Sequence, residues 1–364
     1  MAPSDPRNDT PHWTRRRLLR TAACGFGTLA LAGLCSEARA NDASPTHANP
    51  LAPQPPRFRP RAKRGIFSFM HGGPSHVDTF DYKPALEKYD GQQVAFRDAR
   101  KLAKTGTSGE ETVMKSLWDF QPYGECGHQV SDLFPHIGAH VDDLCFVHSL
   151  HTEGVAHGPS TLFLHTGSTN LVRPSVGSWI TYGLGSENEN LPGFVTICPS
   201  AGNGGPRNFS NAFLPTDFQG TAIGRAGQPT EEVTFQHLLN DKLPPQLKQR
   251  QFELLQALNR EQRASATDAE ELDAVINSFE LGFRMQRHAP ELMDLTGETA
   301  HTLASYGIGE EPTDDFGRQC LLARRMAEAG VRYIQISYAD NSSNPRWDQH
   351  SKIQKHADHA LATD

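Results

Sequence analysis

The stretch that decides the fold reads Gly65-Ile66-Phe67-Ser68-Phe69-Met70-His71-Gly72-Gly73-Pro74. A short run of mostly apolar and aromatic residues is followed at once by a histidine, two glycines and a proline. Such a continuous apolar run is typical of a strand buried in a parallel sheet. The glycines then predict a loop at the carboxyl end of that strand, where open α/β sheets bind their ligands.

Other apolar and periodic segments continue this pattern along the chain. Apolar runs predict strands at 144–149, 191–197 and 331–336, and helical periodicity appears at 131–140, from about 159, over 245–287 and at 316–329. Alternating helices and near-continuous apolar strands indicate an α/β fold with a doubly wound, mostly parallel sheet. The segment 245–287 is expected to form a helical insertion.

The N-terminus has the order of a secretory signal. Arg15-Arg16-Arg17 precedes an apolar stretch from Leu18 to Leu34, which ends near Ala38-Arg39-Ala40. The arginines resemble the twin-arginine consensus, which directs folded proteins across the bacterial inner membrane. We therefore expect a periplasmic or secreted protein. An uncleaved membrane anchor is the alternative, although glycines interrupt the apolar stretch and leave it barely long enough for a span.

The expected organisation has three parts: a signal peptide at 1–40, a flexible, proline-containing linker at 41–61, and one folded domain at 62–364. No later segment resembles a membrane span, so we expect none after cleavage.

Without residues 1–40 the chain has 29 basic and 39 acidic residues, a net charge of −10. An acidic body of this kind argues against nucleic acid as a partner. Its four scattered cysteines favour core thiols, with one disulfide left open.

The first candidate site lies in the loop from His71 to Asp81, where two histidines and two aspartates follow a strand. Imidazole and carboxylate groups are common ligands of divalent cations, which makes His71 and Asp78 candidate metal ligands. The alternative is a glycine turn in which Asp78 and Asp81 cap the next helix. The spacing alone does not decide between the two.

The second candidate is His157-Gly158-Pro159-Ser160-Thr161-Leu162-Phe163-Leu164-His165-Thr166-Gly167. It resembles the sulfatase signature C-x-P-S-R-x-x-x-x-T-G, in which the first residue becomes the formylglycine nucleophile. His157 replaces that nucleophile, so formylglycine chemistry is excluded here. The resemblance makes His157 and Ser160 candidate catalytic residues at the start of a helix, where an anion is favoured. Pro159 and Ser160 are residue types preferred at such a start. A buried structural histidine is the alternative.

The third candidate is Trp347-Asp348-Gln349-His350, which follows the last predicted strand. An aspartate and a histidine two residues apart on a loop can face the same ion, so Asp348 and His350 are candidate metal ligands. The alternative is an exposed polar loop, because the following residues to His359 are similarly polar.

Several segments together resemble the bacterial family called domain of unknown function 1501. These segments are 62–65, 76–84, 131–136, 173–179, 283–286 and 320–325. The resemblance covers residues 62–364 and implies export and an alkaline-phosphatase- or sulfatase-like fold. Members of the family normally continue beyond the point where this chain stops, so the resemblance also implies missing C-terminal strands and an incomplete metal site.

These observations favour a metal-dependent hydrolase of sulfate or phosphate esters. Its cofactor would be a divalent metal, zinc, calcium or manganese, and its partner an anionic ester or polysaccharide substrate. Two alternatives remain at this point. One is a non-catalytic periplasmic binding protein with the same fold, and the other is an inactive truncated product.

Overall fold

A computed structural model describes the protein at residues 49–95, 110–235, 243–265, 269–341, 345–349 and 351–364. The predicted signal peptide and His350 lie outside these residues. The described part contains eight strands and nine α-helices. None of its helices is both long enough and apolar enough to cross a membrane.

Four strands form one parallel sheet. They are β1 (Gly65–Met70), β6 (Phe194–Ile197), β7 (Thr221–Ile223) and β8 (Tyr333–Tyr338), in the order β1-β8-β6-β7. Gly65 pairs with Tyr333, and Phe194 pairs with Tyr333 on the other side. The α/β class and the parallel sheet are therefore confirmed. The sulfatase-like assignment and the further strands stay predictions.

The burial of each strand follows from its place in the sheet. Every residue of β8 and β6 is buried, because both strands have a neighbour on each side. In contrast, β1 pairs with only one strand of the described residues, and its residues are half-buried or exposed. Ile66 is 47% exposed. The apolar run at 65–70 is thus an edge strand.

The remaining strands form two small antiparallel pairs. They are β2 (Gln93–Ala95) with β3 (Glu110–Thr112), and β4 (Phe120–Tyr123) with β5 (His128–Ser131). Gly127, in the turn between β4 and β5, has a positive φ of 65°. A tight turn with this conformation favours glycine.

The nine helices surround and connect these strands. They are α1 (Pro84–Tyr89), α2 (Pro135–Gly138), α3 (His157–Thr166), α4 (Val176–Leu184), α5 (Pro245–Ser265), α6 (Ala269–Met293), α7 (Ala300–Ser305), α8 (Asp314–Glu328) and α9 (His356–Thr363). The predicted helical insertion at 245–287 is confirmed as α5 and α6, which contact each other through stacked Phe252 and Phe283 rings 4.0 Å apart. Helix α8 packs against β8 and is followed by Gly330 at a positive φ of 97°.

Two predicted elements are wrong. Segment 144–149 is not a strand, because Leu144 and Val147 are 46% and 59% exposed and the segment pairs with no described strand. Residues 131–140 are not one helix: Ser131 ends β5, and only Pro135–Gly138 is α-helical. In both places short-range apolar pattern was overridden by tertiary context.

Part of the predicted linker contacts the domain. Gln54 N donates to Leu184 O at 3.0 Å, and Ser186 N donates to Leu51 O at 2.7 Å. Residues 51–54 are therefore hydrogen-bonded to the C-terminal end of α4. The division of the chain at residue 62 stays a prediction.

Candidate active site

The candidate site begins where β1 ends. His71 directly follows the strand and is 2% exposed. Its backbone N–H donates to Tyr338 O at 3.3 Å, and its carbonyl accepts from Trp347 N at 3.1 Å. The loop after β1 therefore lies against the end of β8 and against the segment 345–349.

The glycine after His71 is required by this close approach. Gly72 has a φ of 106°, and a Cβ on it would lie 2.6 Å from Asp348 N and 2.9 Å from Trp347 C. A side chain at this position would meet backbone atoms that cannot move independently of the loop. Glycine thus allows the loop carrying Asp348 to approach the end of β1.

Helix α3 brings His157 to the same loop. His157 is the first residue of the helix, and its Nε2 lies 2.9 Å from Asp348 Oδ2. The Asp348 side chain is 9% exposed, whereas that of His157 is 36% exposed. Two residues that the sequence placed in separate candidate sites are therefore in direct contact.

The loop after β6 contributes an asparagine. Asn203 Nδ2 lies 2.9 Å from His71 Nε2, and Asn203 adopts a positive φ of 48°. Within the described residues, His71 Nδ1 is buried without a hydrogen-bond partner. Burial lowers the pKa of His71, nearby His157 lowers it further, and Asp340 opposes the shift. His71 is accordingly a neutral imidazole at pH 7.

These contacts place polar side chains from three strand ends and one helix start at one edge of the sheet. His71 follows β1, Asn203 follows β6 and Asp340 follows β8, while His157 begins α3. This is the position at which open α/β sheets bind ligands. His71 and His157, which belong to separate candidate sites in the sequence, therefore lie at the same edge of the sheet.

Comparison with known families gives one result. Residues 62–364 match the model of a family described as protein of unknown function (DUF1501). The chain belongs to the DUF1501 family. Comparisons with curated proteins and with solved structures find no match.

In this DUF1501 protein, Ser160 stabilises the approach to α3. Its hydroxyl donates to the carbonyl of Gly154, and its backbone N–H donates to Ala156 O at 3.0 Å. A Cβ at Gly154 would lie 2.6 Å from Ser160 N. The helix has no side-chain cap, so the expectation that Ser160 caps it is wrong. The catalytic role of Ser160 stays a prediction.

Asp78 lies in a neighbouring cluster. It is 5% exposed and accepts a hydrogen bond from the Ser75 hydroxyl. The backbone N–H of Ser75 donates to His356 Nε2 at 3.0 Å. The alternative interpretation, helix capping by Asp78 and Asp81, is wrong because α1 has no side-chain cap.

The donor atoms suit a divalent metal only in part. No group of three or more His, Cys, Asp or Glu side chains within the described residues has a metal-holding arrangement. Asn203 Nδ2 donates to His71 Nε2, so the proton of the neutral ring lies on the buried Nδ1, and His71 would ligate a metal only through Nε2 in place of the Asn203 amide. Asp348 supplies a carboxylate on the facing loop. Nitrogen and carboxylate donors together suit zinc or manganese better than calcium, which prefers oxygen. The candidate ligand His350 lies outside the described residues.

Three residues near the site were not identified from the sequence as candidates: Asn203, Asn208 and Asp340. Asp340 and Asn203 both follow predicted strands, so the strand-end argument that identified His71 also applies to them. For Asn208 no signal was available, since it lies in a loop rich in glycine, asparagine and proline with no periodicity.

Proposed function

We propose that this DUF1501 protein is an exported, metal-dependent hydrolase of sulfate or phosphate esters, acting on anionic polysaccharide. The observation that carries the proposal is the 2.9 Å contact between His157 Nε2 and Asp348 Oδ2 at the first residue of α3. A histidine oriented by a carboxylate is the arrangement that proton transfer in hydrolysis requires.

The start of α3 supports binding of the anionic half of such an ester. The helix has no side-chain cap, and its first-turn N–H groups carry the positive end of the helix dipole. Sulfate or phosphate bound there would lie beside His157. The substrate anion would accept hydrogen bonds from these N–H groups, in the place where a capping side chain would otherwise accept them.

The contact with Asp348 also assigns a tautomer to His157. An ionised carboxylate only accepts hydrogen bonds, so His157 Nε2 carries the donated proton and Nδ1 is the proton-accepting nitrogen. In the proposed reaction His157 takes a proton from the water that attacks the sulfur or phosphorus atom, and Asp348 stabilises the resulting imidazolium. The bond to the alcohol oxygen breaks, and the leaving alcohol takes its proton from solvent. Because the Ser160 hydroxyl is bonded to Gly154, His157 is the stronger candidate for the reacting group.

A divalent metal would be held by Asp348 and by His71 Nε2 in place of the Asn203 amide, with His350 as a further proposed ligand. Such an ion supplies a Lewis acid that polarises the ester oxygen. Zinc and manganese match the donor atoms best.

The test is hydrolysis of an aryl sulfate and an aryl phosphate, with and without zinc, manganese or calcium. Metal-stimulated turnover should fall by about 100-fold or more in His157→Ala, as expected for loss of a general base. His140→Ala, which removes an exposed histidine, is the matched control and should keep full activity. Equal activity in both variants would contradict the proposed role of His157.

A second function is a non-catalytic binding protein for sulfated or phosphorylated glycans. It is favoured by the engaged Ser160 hydroxyl and by the lack of a three-residue metal group within the described residues. Calorimetric titration with sulfate separates the two functions. Saturable sulfate binding that His157→Ala weakens, without turnover under any metal condition, would favour the binding protein.

Export is proposed from the sequence of the first forty residues. A reporter fused after Ala40 should reach the periplasm, and replacement of Arg15 and Arg16 by lysine should retain it in the cytoplasm. Export that persists in the lysine variant would argue against the twin-arginine route.

A further inference from the structure

Residues 57–64 form a basic segment that none of the functions considered above uses. The segment reads Arg57-Phe58-Arg59-Pro60-Arg61-Ala62-Lys63-Arg64, with five basic residues and no acidic residue. Residues 65–364, in contrast, have 24 basic and 38 acidic residues, a net charge of −14. The positive charge is therefore a local feature of this segment and not a property of the whole protein.

Every residue of the basic segment is exposed to solvent. Arg64 forms an ion pair with Glu187, in which Nη2 lies 3.2 Å from Oε2. The other four basic side chains form no ion pair with a described residue; they are those of Arg57, Arg59, Arg61 and Lys63. Four positive charges so close in sequence repel one another, and an anionic surface would offset this repulsion.

The basic segment is attached to the domain on both flanks. On one side, Gln54 N donates to the carbonyl of the last residue of α4 at 3.0 Å. On the other side, Arg332 Nη1 donates to Lys63 O at 3.0 Å, and Gly65 N donates to Arg332 O at 3.0 Å. Three prolines within 55–60 lack the N–H group that a sheet requires. The segment is thus an exposed loop held at a defined place on the surface.

This attachment places the basic segment at the amino end of the parallel sheet. Strand β1 begins at Gly65, directly after the segment, and Arg332 directly precedes β8. The candidate active site lies at the opposite end of the same strands, where His71 follows β1 and Asp340 follows β8. The six residues of β1 separate the two ends by about 20 Å. A partner bound to the segment would therefore leave the candidate site open.

Phe58 indicates which kind of anionic partner fits the segment. Its side chain is 81% exposed and lies in sequence between Arg57 and Arg59. Phenylalanine has no polar group, so its exposure to water is unfavourable, and the interfacial region of a lipid bilayer would bury the ring. A hydrated polysaccharide would bury it less completely. Basic residues around an exposed aromatic ring therefore favour an anionic lipid surface over an anionic glycan.

We propose that the basic segment binds the surface of an anionic lipid bilayer and holds the domain with the amino end of its sheet towards the membrane. The four unpaired basic side chains would contact lipid phosphates, and the Phe58 ring would enter the interfacial region. The acidic remainder of the domain permits this arrangement, because at physiological ionic strength charges more than about 8 Å from the surface are largely screened. The candidate active site would then face away from the bilayer.

The test introduces p-benzoylphenylalanine, a photoreactive analogue of phenylalanine, at position 58 of the full chain. The chain is illuminated with vesicles of phosphatidylcholine, either alone or with one third phosphatidylglycerol. The readout is the fraction of vesicle-bound chains that cross-link to lipid at position 58. Because only bound chains are counted, binding through residues 1–40 is common to all samples.

Cross-linking at position 58 should require phosphatidylglycerol and should decrease at high salt, which screens the charges. The same analogue in place of Phe279, a phenylalanine of α6 that is 60% exposed, should not cross-link to lipid. Equal cross-linked fractions with neutral and anionic vesicles would overturn the inference, and so would an absence of cross-links with anionic vesicles. This comparison needs no charge variant and therefore does not depend on the folding of one.

Replacement of the four unpaired basic residues by glutamine should lower the cross-linked fraction by about tenfold or more, since each basic residue near an anionic surface contributes about fivefold to binding. The substitutions are Arg57→Gln, Arg59→Gln, Arg61→Gln and Lys63→Gln. The matched control makes the same change of charge at four other exposed positions: Lys115→Gln, Arg250→Gln, Arg260→Gln and Arg287→Gln. Equal losses of cross-linking in the two variants would contradict a specific role of the segment.

Dextran sulfate is the probe for the alternative partner, an anionic polysaccharide. If it binds the wild-type chain and not the glutamine variant of the segment, while position 58 does not cross-link to lipid, the segment is a glycan-binding surface and the proposed membrane contact is wrong. None of these measurements involves hydrolysis. Failure of this inference is therefore distinguishable from failure of the proposed function.

Discussion

Two histidine–aspartate pairs within the described residues differ in their surroundings. In the first, His157 Nε2 lies 2.9 Å from Asp348 Oδ2; in the second, His148 Nδ1 lies 3.4 Å from Asp81 Oδ1. The first pair lies at a helix start and at the carboxyl end of the sheet. The second pair lies on loops, and Asp81 also accepts a hydrogen bond from Lys83 Nζ at 2.8 Å.

The difference shows that residue type alone does not define a site. The hydrogen bond from Lys83 is the main reason that the pKa of Asp81 is lowered, so this carboxylate is already satisfied by a cation. His148 lies in a ring stack with His128 and Phe146. The pair at Asp348 instead adjoins the neutral, buried His71. We therefore expect chemistry at the first pair and only local structure at the second.

The largest expected effect is that of Asp348→Asn. Asparagine keeps the shape of the side chain but removes the charge that orients and stabilises His157. Turnover of the aryl ester should fall by about 10³-fold, within the range of general-base effects. Steady-state kinetics measure this, with kcat and KM determined separately.

The control for this change is Asp143→Asn, which alters an exposed carboxylate that belongs to neither pair. It should leave kcat within about twofold of wild type. If Asp348→Asn raises KM and leaves kcat intact, Asp348 contributes to binding and not to the chemical step.

The next effect concerns the buried imidazole of His165, which lies in α3, the helix that begins with His157. Burial lowers the pKa of His165 from 6.5 to about 4. The unfolded chain therefore takes up a proton that the folded chain does not as the pH falls from 6.5 towards 4, and folding stability decreases over this window. The shift corresponds to at most roughly 3 kcal/mol.

Urea unfolding of wild type and His165→Phe at pH 7 and pH 4.5 tests this expectation. The variant should lose less stability on acidification, because it has no group at that position to protonate. His301→Phe, the same change at an exposed position, should retain the wild-type pH dependence. Equal acid sensitivity in wild type and His165→Phe would show that His165 is accessible to protons in the folded state.

Much of the sheet could be predicted from the sequence, because apolar runs report burial. The runs at 65–70 and 331–336 are strands β1 and β8, and the long periodicity at 245–287 forms helices. The similar run at 144–149 is irregular, since Leu144 and Val147 face solvent. A short apolar run does not reveal whether a neighbouring strand exists, which depends on contacts distant in sequence.

The site was predictable where a functional side chain directly follows a strand, as His71 does. The pairing of His157 with Asp348 was not predictable, because it depends on how α3 and the loop 345–349 meet at the end of β1. The unsatisfied atoms of His71, His165 and Asn208 could not be predicted for the same reason, because they are recognised only through burial.

A smaller effect is expected from the two adjacent glycines after His71. Gly72→Ala places a Cβ 2.6 Å from Asp348 N at a φ of 106°, whereas Gly73→Ala at a φ of 79° meets no atom within 4 Å. Both changes introduce backbone strain of about 1 kcal/mol, and only Gly72→Ala adds a steric clash of about 1–2 kcal/mol. Urea unfolding should therefore show Gly72→Ala as the less stable variant.

Gly72→Ala should also lower turnover, because the clash moves the loop that carries Asp348. Gly73→Ala, which leaves that loop in place, should retain activity. Equal losses of stability in the two variants would indicate that the loop 345–349 does not pack against Gly72 as closely as described.

The smallest effect is expected from Asp81→Asn, which breaks the second pair. The Lys83 and His148 side chains that contact Asp81 are 47% and 39% exposed, so solvent screens both contacts, and surface ion pairs contribute less than about 1 kcal/mol. Because the pKa of Asp81 is held below 3.8, its contribution is present at neutral pH and is lost as the pH falls below that value. Urea unfolding should thus show a small loss at pH 7 that shrinks below pH 4, and turnover should stay within about twofold of wild type. A loss of turnover as deep as that of Asp348→Asn would show that the two pairs are equivalent, and the position at the end of the sheet would then no longer distinguish the candidate site.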